Sequence, residues 1–312
     1  MALQFILGPS GAGKSEYIYE DIIRRTMQDE RENVIVLVPE QYSLEIQRKL
    51  VQKHPRGGSF QIDVIGFNRL AYRIFDELHI KPKKVLEDFG KSMLLRKAAQ
   101  EHKEELSLYA GSLDKAGFID EAKSLMSEIY QYDIPRERLR EALQKLDDSE
   151  EARVLARKLQ DMLVIFDAFE EKKGQSFIVA EQMLELLTAA AEQSELIAGS
   201  EIVLDGFTGF TPIQLNLISV LLRRAKKVTI VLTIDAATYE KKHVAEHELF
   251  ALTKQTIEHL LLTAEQAHVV VEPALFLGKD GCKRWSKGHP LAHLEQNLFR
   301  YPYRCLLYTS PS

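Results

Sequence analysis

Leu3-Gln4-Phe5-Ile6-Leu7-Gly8-Pro9-Ser10-Gly11-Ala12-Gly13-Lys14-Ser15 sets the reading of the whole chain. An apolar run of strand length stops at a glycine, a glycine-punctuated turn follows, and Lys14 to Met27 continues with helical periodicity. Gly8, Gly11 and Gly13 admit backbone conformations and close approaches that a side chain would block, so successive N–H groups can turn inward around anionic oxygens. The positive end of the helix that starts here favours the same charge. Lys14 has the reach to touch the β- and γ-phosphates of a nucleoside triphosphate, and Ser15 can offer its hydroxyl to Mg²⁺. Gly8, Pro9, Ser10, Gly11, Ala12, Gly13, Lys14 and Ser15 are therefore the expected binding loop for ATP and Mg²⁺. The competing reading is a glycine-rich turn that merely joins strand to helix.

Outward from this loop, short apolar strands alternate with amphipathic helices. Val34 to Val38 reads as a strand ended by Pro39, Ser43 to Gln52 as a helix, Phe60, Ile62 and Val64 as an alternating strand, and Asn68 to Leu78 as a helix. Strands separated by helices of this length imply a parallel sheet with right-handed crossovers. From about Pro82 the character changes. Residues 86–195 are rich in Leu, Ala, Glu, Lys and Arg, hold the single proline Pro135 and show no strand pattern, which predicts an all-helical insertion. Its charge runs, such as Lys103-Glu104-Glu105, read as solvated helix faces. At Glu201 the first pattern resumes. Ile202 to Leu204 is a strand ending in Asp205, Pro212 to Arg223 a helix, Val228 to Leu232 a strand, Glu246 to Ala264 a helix and Val269 to Val271 a strand. The fold class expected is thus α/β, with residues 1–80 and 199–302 forming one sheet domain and 81–198 the insertion. Residues 303–312 lack any period or cap and are expected to be a non-native or disordered tail.

The chain of 312 residues is 45% apolar and 28% charged, ordinary globular usage, with no apolar run of membrane-spanning length. The start has no basic run before its apolar segment and no small-residue cleavage pattern after it, so no secretory signal is expected and the cytoplasm is the default. The formal charge of -5 excludes a globally basic nucleic-acid binder but not a local groove with a few positive and aromatic groups. Cys282 and Cys305 are too far apart for a zinc or iron–sulfur site and are expected to be free thiols.

Hydrolysis of a bound triphosphate needs more than a cradle. Asp205, in Glu201-Ile202-Val203-Leu204-Asp205-Gly206, is the best-placed carboxylate to hold the Mg²⁺ through water, although an Asp before Gly also forms turns. A neighbouring Glu would polarise the attacking water, but Gly206 stands there and can do no acid–base work. After the next strand, Asp235 is followed by Thr238 where a glutamine could sense the γ-phosphate. Ligands of a parallel sheet gather at the carboxyl ends of its strands. The loops beyond those ends carry Pro39-Glu40-Gln41-Tyr42-Ser43, Gly66-Phe67-Asn68-Arg69-Leu70-Ala71-Tyr72-Arg73, and Phe207 with Phe210. Aromatic, amide, hydroxyl and arginine groups of this kind stack bases and hold backbone phosphates, so a single-stranded nucleic acid is a plausible occupant. Some of these residues would equally serve as core packing at a helix start.

With those residues assembled, the chain resembles the N-terminal part of the AddB family, B subunits of bacterial ATP-dependent helicase/nucleases. Segments that carry the resemblance are FILGPSGAGKS, VIVLVPEQYSLE, IDVIGFNRLAYRIF, LLRKAAQEHKEEL, IVLDGFTGFTPIQ, VTIVLTIDAATYE and HELF, in the family's order and reaching to about Pro302. The resemblance implies a phosphate-loop (P-loop) fold like the first motor domain of superfamily 1 helicases, interrupted by a helical insertion. By position it implies Gln41, Ser43, Phe67, Arg69 and Tyr72 as DNA-facing residues, with Phe210 a further candidate. Asp205-Gly206 and Ile234-Asp235-Ala236-Ala237-Thr238 depart from the Asp-Glu pair and the Gly-Asp-x-x-Gln of active motors, which implies degraded hydrolytic machinery. It also implies a partner motor subunit of the AddA type, single-stranded and duplex-end DNA as ligands, and double-strand-break repair by recombination as the setting. The family's nuclease and the cysteines of its 4Fe-4S cluster are not among these residues, so the region by itself is expected to be no nuclease. Two readings from other classes stand beside this one: a small-molecule P-loop kinase, and a structural subunit with a vestigial nucleotide site.

Overall fold

The computed structural model describes residues 1–29, 31–81, 83–115, 117–147, 149–174, 176–278, 283–285 and 289–300. The tail expected at 303–312 and both cysteines lie outside the described residues.

The first segment runs β1 (Ala2–Gly8), α1 (Lys14–Gln28), β2 (Asn33–Leu37), α2 (Ser43–Lys53), β3 (Ile62–Ile65) and α3 (Phe67–Glu77). A largely helical stretch follows, with β4 (Lys84–Val85), α4 (Asp88–Glu101), α5 (Phe118–Gln131), α6 (Arg136–Gln144), α7 (Glu150–Lys173), β5 (Phe177–Ile178), α8 (Ala180–Ala191) and α9 (Glu195–Ala198). The chain then returns to the sheet through β6 (Ser200–Leu204), α10 (Pro212–Arg224), β7 (Lys227–Thr233), α11 (Ala236–Glu240), α12 (Ala251–Gln266), β8 (Val270–Val271) and β9 (Leu275–Phe276), before α13 (Pro290–Asn297).

The main sheet has the order β3-β2-β6-β7-β1-β8, β9 also pairs with β1, and each of these ladders is parallel. Strand alternation sorts the core into two layers. Leu3, Phe5 and Leu7 of β1, Ile35 and Leu37 of β2, Ile202 and Leu204 of β6, and Val228, Ile230 and Leu232 of β7 face one way and pack under α3, α8, α10 and α12. Ile6, Val34, Val36, Val203 and Val231 face the other way and meet Ile18, Tyr19, Ile22, Ile46 and Leu50 of α1 and α2. Both faces are covered, which is why the strands read as continuous apolar runs rather than as polar–apolar alternation. Burying each such side chain contributes about 1.5–3 kcal/mol, against the chain entropy it orders. A separate core joins α4, α5 and α7 through Leu95, Met126, Ile165, Phe166 and Phe169. Its helix α8 instead lies against α3 and α10 of the sheet layer.

The structure departs from the sequence reading in four places. The expected strandless stretch contains a parallel ladder, β4 with β5 (Lys84↔Phe177, Val85↔Ile178), which ties the entry of the helical stretch to its exit. Strands of two residues create no alternation to read; only the long-range pairing makes them. Phe60 precedes the β3 ladder, which starts at Val34↔Ile62, and its ring is fully exposed. The helix expected from Glu246 begins at Ala251, because Glu248 folds back to accept from the Ala245 N–H (3.1 Å) and to pair with Lys241. Short β9, pairing Ile6↔Leu275, was not legible for the same reason as β4. Among the described residues no helix is long and apolar enough to cross a membrane.

Candidate functional site

All the main-sheet ladders are parallel, so the loops that leave β1, β2, β3, β6 and β7 emerge at one edge. Gly8 to Ser15, Pro39 to Ser43, Gly66 to Tyr72 and Asp205 to Phe210 lie at this edge or enter the helices that start there. The glycine loop and the nucleic-acid candidates share one rim.

At the loop itself, Gly11 and Gly13 take φ of 75° and 86°, the left-handed region in which a side chain is strained. Gly13 is the residue before α1, and the Ala12 N–H closes a turn on the Pro9 carbonyl at 3.2 Å. The Lys14 side chain is buried and folds back over the loop, its Nζ donating to the carbonyls of Gly8 and Pro9 at 2.9 Å each. Ser15 is exposed on the first turn of α1. The segment after β9 lies against the loop. A Cβ on Gly8 would stand 2.4 Å from the Leu277 carbonyl oxygen, and the Lys283 and Arg284 N–H groups donate to the Gly11 carbonyl at 3.0 and 3.2 Å. Left-handed glycines followed by a helix N-terminus are an arrangement suited to an anion.

Asp205 ends β6 as a buried carboxylate, its N–H donating to the Leu37 carbonyl. Its Oδ2 accepts from the Tyr19 hydroxyl at 2.6 Å. Burial, and then the Asp205 charge, push the Tyr19 phenol far above its ordinary range, so it remains a donor. Tyr19 thus ties α1 to the end of β6, one turn beyond Ser15, and the sequence reading did not single it out. Its signal was present: Tyr19 lies one turn beyond Ser15 on the same helix face. Gly206 has φ of 83° and its absent Cβ would meet Pro39 Cδ at 3.3 Å, so the position after Asp205 is shaped for glycine. Asp235 caps α11, accepting from the Thr238 N–H at 2.7 Å, and lies 3.3 Å from the Arg300 guanidinium; Thr238 is buried.

Among the nucleic-acid candidates, Phe67 and Phe210 are both half-buried and are joined through Phe207, with ring centroids 5.5 and 5.3 Å apart. All three rings also pack on the sheet core. Gln41 is exposed on the turn Glu40–Tyr42, and Ser43 donates its hydroxyl to the Glu40 carbonyl at 2.9 Å. Arg69 and Tyr72 are exposed, one turn apart on α3. Glu40 was missed by sequence reasoning. Its carboxylate accepts from the Asn68 N–H at 3.0 Å and lies so close over Gly66 that a Cβ there would stand 2.2 Å away. It therefore joins the loop after β2 to the start of α3.

Among the described residues no group of three or more His, Cys, Asp or Glu side chains could hold a metal ion. An ion at this edge would take most of its ligands from phosphate and water, as Mg²⁺ commonly does, and Ser15 and Asp205 are the side chains that fit it.

Residues 5–295 match the family model described as the N-terminal part of ADDB. The chain belongs to the AddB family. Curated AddB relatives are each named as the B subunit of an ATP-dependent helicase/deoxyribonuclease. That of Lachnoclostridium phytofermentans is 38% identical over 308 residues, covering 97% of this chain and 26% of the relative. Those of Clostridium kluyveri and Clostridioides difficile are 33% and 32% identical, covering 97% and 100% of this chain and 26% and 27% of the relatives. This AddB-family chain spans about a quarter of the length of the curated relatives it matches.

Proposed function

We propose that this chain is the ATP-binding, single-strand-engaging N-terminal region of an ATP-dependent helicase/deoxyribonuclease of the AddB type that serves double-strand-break repair by recombination. Its own hydrolytic step is weak. The loop Gly8–Ser15 holds the triphosphate through its amides and Lys14, and Ser15 and Asp205 would hold the Mg²⁺, which neutralises charge on the phosphates. Gln41, Ser43, Phe67, Arg69, Tyr72 and Phe210 face the DNA strand. The strand order, with β7 lying between the phosphate-loop strand and the strand that ends in Asp205, supports a fold resembling the first motor domain of superfamily 1 helicases. Residues 81–198 are its helical insertion. An AddA-type motor subunit is the proposed partner.

The observation that carries this reading is a chain of residues along one sheet edge. Tyr19, one turn beyond Ser15, holds Asp205, Gly206 abuts Pro39, and Glu40 holds the start of α3 beside Phe67 and Arg69. Nucleotide at one end is therefore placed to bias the loops at the other. Binding of a fluorescent ATP analogue and of a labelled oligodeoxynucleotide to the full-length gene product tests it. Lys14→Ala is expected to weaken analogue binding by about tenfold or more, the size of one lost charge-assisted contact, and to remove any nucleotide effect on the strand. Unchanged binding of both ligands would refute the reading.

A further inference from the structure

Resting on the nucleotide reading above, the buried Tyr19 hydroxyl carries a second meaning. It donates to Asp205 Oδ2 at 2.6 Å. Asp205 is one of the two side chains that fit a divalent ion, and this phenol holds it. We propose that Tyr19 is a positioning residue that ties up the Asp205 carboxylate, so that nucleotide is gripped by the loop amides and Lys14 with little dependence on Mg²⁺.

The argument is chemical. A carboxylate oxygen that accepts a short O–H···O bond has less charge to offer a cation or the water on it. Asp205 is buried, so it has little room to recruit further water, and its N–H is fixed on the Leu37 carbonyl. The left-handed glycines and the Lys14 ammonium act on phosphate oxygens whether or not a metal is present. The Tyr19 ring itself packs with Ile18, Ile22 and Ile46 between α1 and the sheet, so removing only its oxygen keeps the packing.

The test is the affinity of the full-length gene product for a non-hydrolysable fluorescent ATP analogue in Mg²⁺ and in EDTA. Wild type is expected to bind within about threefold in the two conditions, and Tyr19→Phe to bind about tenfold more tightly in Mg²⁺ than in EDTA, the factor of one regained ionic contact. Without nucleotide, Mg²⁺ is expected to raise the unfolding temperature of Tyr19→Phe more than that of wild type. A wild-type affinity that falls tenfold or more in EDTA overturns the proposal, and that arm stands even if the variant does not fold. So does a Tyr19→Phe protein whose metal dependence equals or falls below that of wild type. If Lys14→Ala abolishes binding while Tyr19→Phe changes nothing, the tyrosine proposal alone is lost; if wild type binds no analogue in either condition, the nucleotide reading falls with it.

Discussion

Removing Arg69 and trimming Phe67 should weaken single-strand binding in two distinguishable ways. Arg69 is exposed on the first turn of α3, free to reach a backbone phosphate, whereas Phe67 is half-buried against Phe207 and the core. Losing one phosphate contact lowers the slope of log affinity against log salt by about 0.7 for a single strand. Between 50 and 200 mM salt that is a change of roughly threefold in the ratio of wild-type to Arg69→Ala affinity. Stacking of one base is worth about 1–3 kcal/mol, and because only part of the Phe67 ring is open, the lower end applies. Phe67→Leu, which keeps apolar volume under Phe207, is thus expected to cost about 1 kcal/mol, roughly fivefold in affinity, with an unchanged salt slope. Fluorescence anisotropy of a labelled oligothymidylate, titrated with the full-length gene product at several salt concentrations, reads both quantities. The reasoning is refuted if Arg69→Ala leaves slope and affinity untouched, or if Phe67→Leu alters the slope alone.

Gly206→Glu, which restores the residue type of active motors, is expected to yield no gain in ATP turnover and to destabilise by about 1–2 kcal/mol, because φ at this position is 83°. Phosphate release and urea unfolding check the two halves. In the helical stretch, Asp161 is buried and accepts from the N–H groups of Ser107, Leu108 and Tyr109 at 2.8, 2.7 and 2.8 Å, and from the Ser107 hydroxyl at 3.1 Å. Burial alone would raise its pKa, but these donors outweigh it and hold the carboxyl below its ordinary value of 3.8. The stability it contributes is therefore fully present above that value and is lost as pH falls through the lower folded-state pKa. Asp161→Ala, which strands the three backbone donors, should cost about 3 kcal/mol at neutral pH, and the loss should shrink in acid; an equal loss at pH 7 and pH 2 in denaturant unfolding would contradict this.

The sheet was legible because both its faces are buried. Val34 to Val38 and Val228 to Leu232 are apolar at nearly every position, and each run is flanked by helices long enough for a crossover. The glycine turn between β1 and α1 was legible because its residues are consecutive, so spacing alone reports its backbone geometry. Elements made only by distant pairing were not. Lys84 and Val85 carry no pattern that announces Phe177 and Ile178. The same limit hid the polar links of the site. Tyr19, on the buried face of α1, was not singled out, and only the arrival of Asp205 from 186 positions away gives its hydroxyl a task. Glu40 read as a loop residue until the fold carried Gly66 beneath it.

The backbone at Gly206 bears on why hydrolysis is expected to be weak even with the cradle intact. A general base must be held within hydrogen-bond reach of the attacking water. The residue after Asp205 turns away through a left-handed conformation and abuts Pro39 rather than the phosphate loop, so this stretch of backbone serves the contact between the β6 and β2 loops. On the proposed reading, a carboxylate there would set acid–base chemistry against the contact of Gly206 with Pro39, which lies next to Glu40 and the start of α3. If the proposed nucleotide reading holds, a site built this way would sense a bound triphosphate more than consume it, and loss of the nucleotide effect on strand binding in Lys14→Ala with little ATP turnover in wild type is the expected signature.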